Sequence, residues 1–191
     1  MSAPPPDHPE PGANPWQTLT TAVAFENPWF RVTTHATVAP DGTRPTYGKI
    51  HFKNAAVGVI PLDGEGCTWL VGQWRFPLGI YSWEIPMGGS PLGTDPLASA
   101  RRELKEETGL TAARYAQLLT LHTSNSITDE VGYVYVAEDL VAGAPEFDAT
   151  EQLDIRRLPA REAVAMALDG RITDAISVAG LLALARQRNL W

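Results

Sequence analysis

The amino-acid sequence predicts an α+β fold of layered strands and helices, preceded by a small antiparallel β unit. Three observations carry this. Short apolar and β-branched runs bounded by turn residues fill residues 31–75 and return at 116–137. One sharply punctuated helix interrupts them between Asp95 and Gly109. Two further helical runs follow near the end of the chain, and no internal repeat links any of these segments.

The elements are justified in order as follows. Residues 1–15 are rich in proline and offer almost nothing apolar to bury, so a disordered tail is expected there. Residues 16–52 read as two or three antiparallel strands, with residues 31–38 rich in β-branched side chains and Pro40-Asp41-Gly42 as a turn. A unit this small needs support from the main domain, expected over 53–191, or from another subunit. Residues 55–62 and 68–75 are apolar strands joined by the turn Asp63-Gly64-Glu65-Gly66. A glycine-rich loop with Gly88, Gly89 and Gly93 precedes the helix, which has Asp95 as N-cap, Pro96 in its first turn and Gly109 as its stop. Its inner face is read as Leu97, Ala98, Ala100 and Leu104. Residues 116–122 and 131–137 are strands; residues 159–168 and 173–187 are helices, the second with an apolar face of Ile176, Ala179, Leu182 and Ala183.

Composition limits the function. The 191 residues suit one ordinary domain with a small appendage, and 44% hydrophobic with 19% charged residues is a globular balance. A net charge of -7 argues against a nucleic-acid partner, which needs a basic face. It leaves phosphorylated small molecules open, because bound metal ions reverse the local field. The single Cys67 gives no sign of an oxidising compartment and is read as a packed residue. The N-terminus lacks a basic-then-apolar pattern and no apolar run reaches the roughly 18 residues of a membrane span, so a cytoplasmic protein is expected. His8, His35, His51 and His122 have no zinc-like spacing.

The chemistry lies in residues 88–110. Glu103, Glu106 and Glu107 stand three and four residues apart on one helix, so their carboxylates share a face. Arg102 can pair with Glu106 one turn on. A solvated, salt-bridged helix would show the same charge spacing. Carboxylates crowded in this way also suit a hard cation that prefers oxygen ligands.

The order Gly88, then Arg102-Glu103-Leu104-Lys105-Glu106-Glu107-Thr108-Gly109-Leu110 resembles the Nudix signature. One position departs: Thr94 stands where the signature has its first glutamate, with Asp95 beside it. Residues 71–77 and 83–89, the N-terminal strand unit and residues 170–177 resemble the ADP-ribose pyrophosphatase, or nucleoside-diphosphate-sugar hydrolase, branch. The resemblance implies an α/β/α sandwich around a mixed sheet, with the N-terminal unit exchanged in a homodimer.

It also implies roles. Glu103, Glu106, Glu107 and the Met87 carbonyl would hold Mg²⁺ or Mn²⁺, with Glu103 and Glu107 serving catalysis and Gly88, Arg102 and Gly109 maintaining the box. Glu151, in a late loop, matches the branch's catalytic glutamate; an exposed loop carboxylate reads equally well, and Glu130 is the reserve. Arg75 is expected to bind base or phosphate, and Glu84 a sugar hydroxyl or a metal-bound water. Trp29 is a candidate for stacking on a base, with packing the safer reading. His51 and Lys53 are expected to face the same cleft.

The implied substrate is a small-molecule nucleotide sugar, with ADP-ribose foremost. Ser124-Asn125-Ser126 stands where ADP-ribose-specific relatives carry a proline, so base and sugar stay open. The alternative is a Nudix-fold sensor that binds a nucleotide sugar without cleaving it. Retention of the three box glutamates favours the enzyme; Thr94 is the one mark for the sensor.

Overall fold

The computed structural model describes residue 12, residues 14–145 and residues 153–191. Most of the proline-rich stretch 1–15 and the candidate base Glu151 lie outside the described residues. The chain divides into two compact units between His51 and Phe52.

The first unit is one antiparallel sheet in the order β1 (Gln17–Glu26), β2 (Phe30–Val38), β3 (Thr46–Phe52). Asn27 makes the β1–β2 turn, its side-chain oxygen accepting from the backbone N–H groups of Trp29 and Phe30 at 2.9 and 2.8 Å. His35 lies between the hydroxyls of Thr21 and Thr33 at 3.0 and 2.9 Å. Every residue of β1 is exposed, Leu19, Val23 and Phe25 included. The shortage of core read from the sequence is therefore visible in the sheet itself.

The second unit holds two sheets and three helices. One sheet runs β7 (Met87–Pro91), β4 (Asn54–Pro61), β9 (Val131–Val141), β8 (Thr111–His122), with β4 and β9 parallel and the other pairs antiparallel. The other runs β10 (Asp154–Pro159), β5 (Cys67–Arg75), β6 (Ile80–Glu84). Thus the two strands flanking the turn at 63–66 join different sheets and meet only at the Leu62–Thr68 bridge. The glycine-rich stretch expected as a loop is partly strand β7, because it pairs residue by residue with Asn54–Gly58.

Helices cover both faces of the four-stranded sheet. Val57 and Val59 of β4, with Tyr135 and Ala137 of β9, meet Ala100 and Leu104 of α1 (Pro96–Thr108). Ile60, Val134 and Val136 point the other way, toward α2 (Ala160–Leu168) and α3 (Ala175–Arg188). A strand buried on both faces reads as a continuous apolar run, which is what residues 55–62 show. The result is a mixed-sheet α/β/α sandwich preceded by an antiparallel sheet, as the sequence predicts. No helix among the described residues is long and apolar enough to cross a membrane.

Two faces differ from expectation. Ala98 is exposed, leaving Ala100 and Leu104 as the buried line of α1. On α3, Ile176 is buried but Ala179, Leu182 and Ala183 are only half-buried; the contact line runs through Ser177, Gly180, Leu181 and Leu184. A Cβ at Gly180 would come within 2.9 Å of Val134, so the helix passes closest to the sheet at this glycine, with Leu181 and Leu184 packed beside it.

The ends of α1 follow the sequence. Asp95 caps it by accepting from Leu97 N–H at 3.0 Å, and Gly109 closes it at φ 73°, its N–H donating to the Lys105 carbonyl. A Cβ on Gly109 would also meet the backbone carbonyl of Gly143 at 2.5 Å. Gly109→Ala is therefore expected to destabilise the unit by about 1–3 kcal/mol, read as a lower urea midpoint.

Candidate active site

The helix α1 lies along β7 and brings the box together. Glu103 and Glu107 are 7% and 2% exposed, and the Glu107 carboxylate accepts from the Met87 N–H at 2.9 Å. The same peptide strand supplies the Met87 carbonyl named as a metal ligand. Gly88 follows in β7 for a steric reason: a Cβ there would overlap the Glu103 carboxylate. The glycine thus opens the strand to the carboxylate instead of making a loop.

Arg102 ties these parts together. It donates to Glu106 at 2.6 Å, as the i, i+4 spacing predicts, to Glu103 at 2.6 Å and to the Gly89 carbonyl at 3.0 Å. Burial works against its charge, but Glu103 and Glu106 outweigh that and hold its pKa above the usual arginine value. Thr94 donates to the Pro91 carbonyl at 2.6 Å, and Ser99 donates to Ser90 at 2.9 Å. With the Asp95 cap, hydroxyls hold the loop where the signature has a glutamate.

These residues fit a divalent cation by donor chemistry. The set is all oxygen: three carboxylates on one helix face beside a backbone carbonyl, two of them buried where an uncompensated charge is costly. As placed, no three His, Cys, Asp or Glu side chains among the described residues converge tightly enough to enclose an ion, and the Arg102 guanidinium lies across Glu103 and Glu106. An ion there would share the carboxylates with that arginine.

The structure adds a pairing that the sequence did not reveal. In the β5–β6 register, Arg75, Ser82 and Glu84 fall on one face. Arg75 forms a two-pronged ion pair with Glu84, its Nε donating at 2.9 Å and Nη2 donating to the second oxygen. Glu84 raises the Arg75 pKa, burial opposes this, and Asp174 and Glu107 add to it from further off. Arg75, Ser82 and Glu84 line a cavity of about 190 Å³ with Thr173 and Asp174, which precede α3. Thr173 and Asp174 belong in the sequence to a helical run and to the stretch 170–177 that carries the resemblance; the Asp-Ala-Ile-Ser order signals a capping aspartate but nothing about a cavity.

The remaining predicted residues are placed as follows. Trp29 is 66% exposed and not packed. His51 and Lys53 are half-buried at the end of β3 and just after it. Glu130 is half-buried and accepts from the Thr123 hydroxyl at 2.5 Å.

Comparison with known proteins bears on this geometry. Residues 52–179 match the model of the NUDIX domain, and residues 16–50 match that of the nucleoside diphosphate sugar hydrolase N-terminal domain. Over 137 residues the chain is 36% identical to an ADP-ribose pyrophosphatase of Mycobacterium tuberculosis, covering 70% of this chain and 65% of that one. An ADP-ribose pyrophosphatase of Bacillus subtilis is 33% identical over 122 residues, covering 63% and 66%. The matches thus span slightly less than two thirds of these two relatives. A methanol dehydrogenase activator of Bacillus methanolicus is 35% identical over 71% of this chain and 74% of its own. A crystal structure of an ADP compounds hydrolase shares the fold, with a TM-score of 0.83, 22% identity and coverage of 94% and 97%. With the glutamate helix, its glycine strand and the match over residues 52–179 together, the chain belongs to the Nudix family.

Proposed function

We propose that this chain is a divalent-cation-dependent pyrophosphohydrolase acting on a nucleoside diphosphate sugar, with ADP-ribose foremost and Mg²⁺ or Mn²⁺ as the ion. The observation that carries the reading is the box itself. Glu103 and Glu107 are buried against β7, with Glu106 beside them, and Gly88 is cleared of a side chain to admit a carboxylate. Relatives named as ADP-ribose pyrophosphatases support the substrate class.

In the reaction, water adds to one phosphorus of the diphosphate. The bridging P–O bond breaks toward the other phosphate, and a nucleoside monophosphate and a sugar phosphate leave with the water's atoms shared between them. A cation held by Glu103, Glu106, Glu107 and the Met87 carbonyl supplies positive charge against the diphosphate oxygens and makes water more acidic. The chain's own contribution is positional. The Met87 N–H fixes the Glu107 carboxylate, Arg102 fixes Glu103 and Glu106, and Arg75 offers a guanidinium to the substrate.

Glu151 is proposed as the group that takes the water's proton, with Glu130 in reserve. Glu130 is already held by Thr123, which favours Glu151. Glu151→Gln is expected to lower kcat by about 10²-fold or more, and Glu130→Gln to change it little. Steady-state assays of both variants with ADP-ribose decide between them; the reverse ranking moves the role to Glu130.

Trp29, exposed beside the β1–β2 turn, is proposed to stack on the base, and His51 and Lys53 to assist substrate binding. A homodimer that covers Leu19, Val23 and Phe25 of β1 is proposed as well. Light scattering tests it, and a monomer at all concentrations would remove it. Because hydroxyls and Asp95 hold the loop around Thr94, that position does not favour the sensor reading.

The function is tested by incubating the purified protein with ADP-ribose, ADP-glucose, GDP-mannose and UDP-glucose, with Mg²⁺, Mn²⁺ or chelator, and following nucleoside monophosphate. Metal-dependent release from at least one supports the reading and ranks the substrates. Release from none overturns it.

A further inference from the structure

The cavity beside Arg75 has more polar groups than the protein uses. Glu84 spends both oxygens on Nε and Nη2 of Arg75, which leaves Nη1 without a hydrogen bond among the described residues. Asp174 accepts from the Ser177 N–H through Oδ2 at 2.7 Å, and its Oδ1 has no partner there. Ser82 is 6% exposed and Thr173 is exposed; neither hydroxyl bonds to another group among the described residues, and both face the cavity. Water reaches these groups in the free protein, and a ligand that displaces it has to supply hydrogen bonds in its place.

The chemistry of the walls narrows the ligand. Glu84 and Asp174 carry two negative charges against the one on Arg75, so a phosphate dianion is disfavoured in the cavity itself. No aromatic ring lines it for a base; its apolar surface is Pro77 and Leu78. The volume of about 190 Å³ has room for a sugar ring. A sugar satisfies every wall. Its hydroxyls donate to a carboxylate and accept from a guanidinium, and its C–H face lies on Pro77 and Leu78. The cavity also lies within Coulombic reach of the glutamate helix, since Glu107 and Asp174 both act on the charge of Arg75.

We infer that this cavity is a sugar subsite, in which Asp174 Oδ1 and Arg75 Nη1 hold neighbouring hydroxyls of a pentose and Ser82 and Thr173 bond an adjacent oxygen. The inference rests on the nucleoside diphosphate sugar reading above, and it names the part of such a substrate that this pocket recognises. The diol belongs either to the nucleoside's ribose or to the distal sugar.

The test compares ADP-ribose with two analogues, one lacking the 2-hydroxyl of the adenosine ribose and one lacking that of the distal ribose. Both kcat/KM with Mg²⁺ and Kd by calorimetry in chelator are measured. Wild-type protein is expected to discriminate against one analogue by about 10–10²-fold, the loss expected when a hydrogen bond to a charged group is not made. Asp174→Ser keeps a helix-capping oxygen while removing the carboxylate, and Ser82→Ala removes only the hydroxyl that faces the cavity. In Asp174→Ser the parent should fall to the level of the disfavoured analogue, with discrimination lost; Ser82→Ala should reduce discrimination in the same direction. The analogue that suffers identifies which sugar is held. Discrimination in Kd without any turnover would retain the subsite and sink the hydrolase reading. Turnover or binding that treats all three ligands alike in wild type, or binding of none, would overturn the subsite. Discrimination unchanged in both variants would also overturn it.

Discussion

Glu107→Gln is expected to lower kcat for a nucleoside diphosphate sugar by about 10²–10³-fold, the loss typical of removing one group aimed at developing charge. The size and shape of the side chain are kept, and its amide oxygen can still accept from the Met87 N–H, which holds the carboxylate at 2.9 Å. The charge is removed and one acceptor oxygen becomes an NH₂ donor. Because Glu107 is 2% exposed on a face shared with Glu103 and Glu106, losing that charge also relieves repulsion. Stability should therefore hold or rise while activity and the affinity for Mn²⁺ fall. Thermal unfolding together with Mn²⁺ titration separates this from damage to the fold. A Glu107→Gln protein that is fully active would place the chemistry on other residues.

Arg75→Ala is expected to be the most destabilising single change at the site. Its partner Glu84 has a side chain only 3% exposed, and both Glu84 oxygens rely on the guanidinium. Removing one member of a buried pair leaves an uncompensated charge and typically costs about 3–5 kcal/mol. The Arg75 side chain is 35% exposed, which lets water reach part of the gap and sets the expectation at the lower end, about 3 kcal/mol. In a chain of this length that lowers Tm by roughly 6–12 °C. The double change Arg75→Met with Glu84→Met should recover much of the loss, because the pair and not either side chain is the requirement. By contrast, Arg157→Ala, which breaks a solvent-reached network with Asp63 and Glu65, should lower Tm much less than Arg75→Ala does. Equal effects at Arg75 and Arg157 would contradict the burial argument.

Parts of the molecule governed by local chemistry could be read from the sequence. Asp95, Pro96 and Gly109 bound α1 because capping is decided within a few residues, and the glutamate spacing follows from helical geometry. The Arg102–Glu106 pair is legible for the same reason. Parts decided by distant pairing were not. The turn at 63–66 is a sound turn, but parallel pairing with β9 claims β4, and β10 claims β5. Gly88 and Gly89 look like loop residues until β4 pairs with them and Glu103 fills the space above Gly88. The buried line of α3 differs from the expected one because apolar residues surround much of the helix; the close pass of Gly180 to Val134 and the Ser177 hydroxyl accepting from the Ile85 N–H mark the face that packs. Arg75 and Glu84 were each marked as binding residues, but only the β5–β6 register makes them a pair. The cavity residues Ser82, Thr173 and Asp174 carry no local signal that would set them apart.

The most direct test of the central claim is ³¹P NMR of the purified protein with ADP-ribose and Mg²⁺ in ¹⁸O-enriched water. The account predicts loss of the diphosphate resonances, growth of two phosphomonoester resonances in equal amount, and ¹⁸O in one product only. Chelator should abolish the conversion. Persistence of the diphosphate resonances while ADP-ribose is demonstrably bound would contradict a hydrolase site on α1.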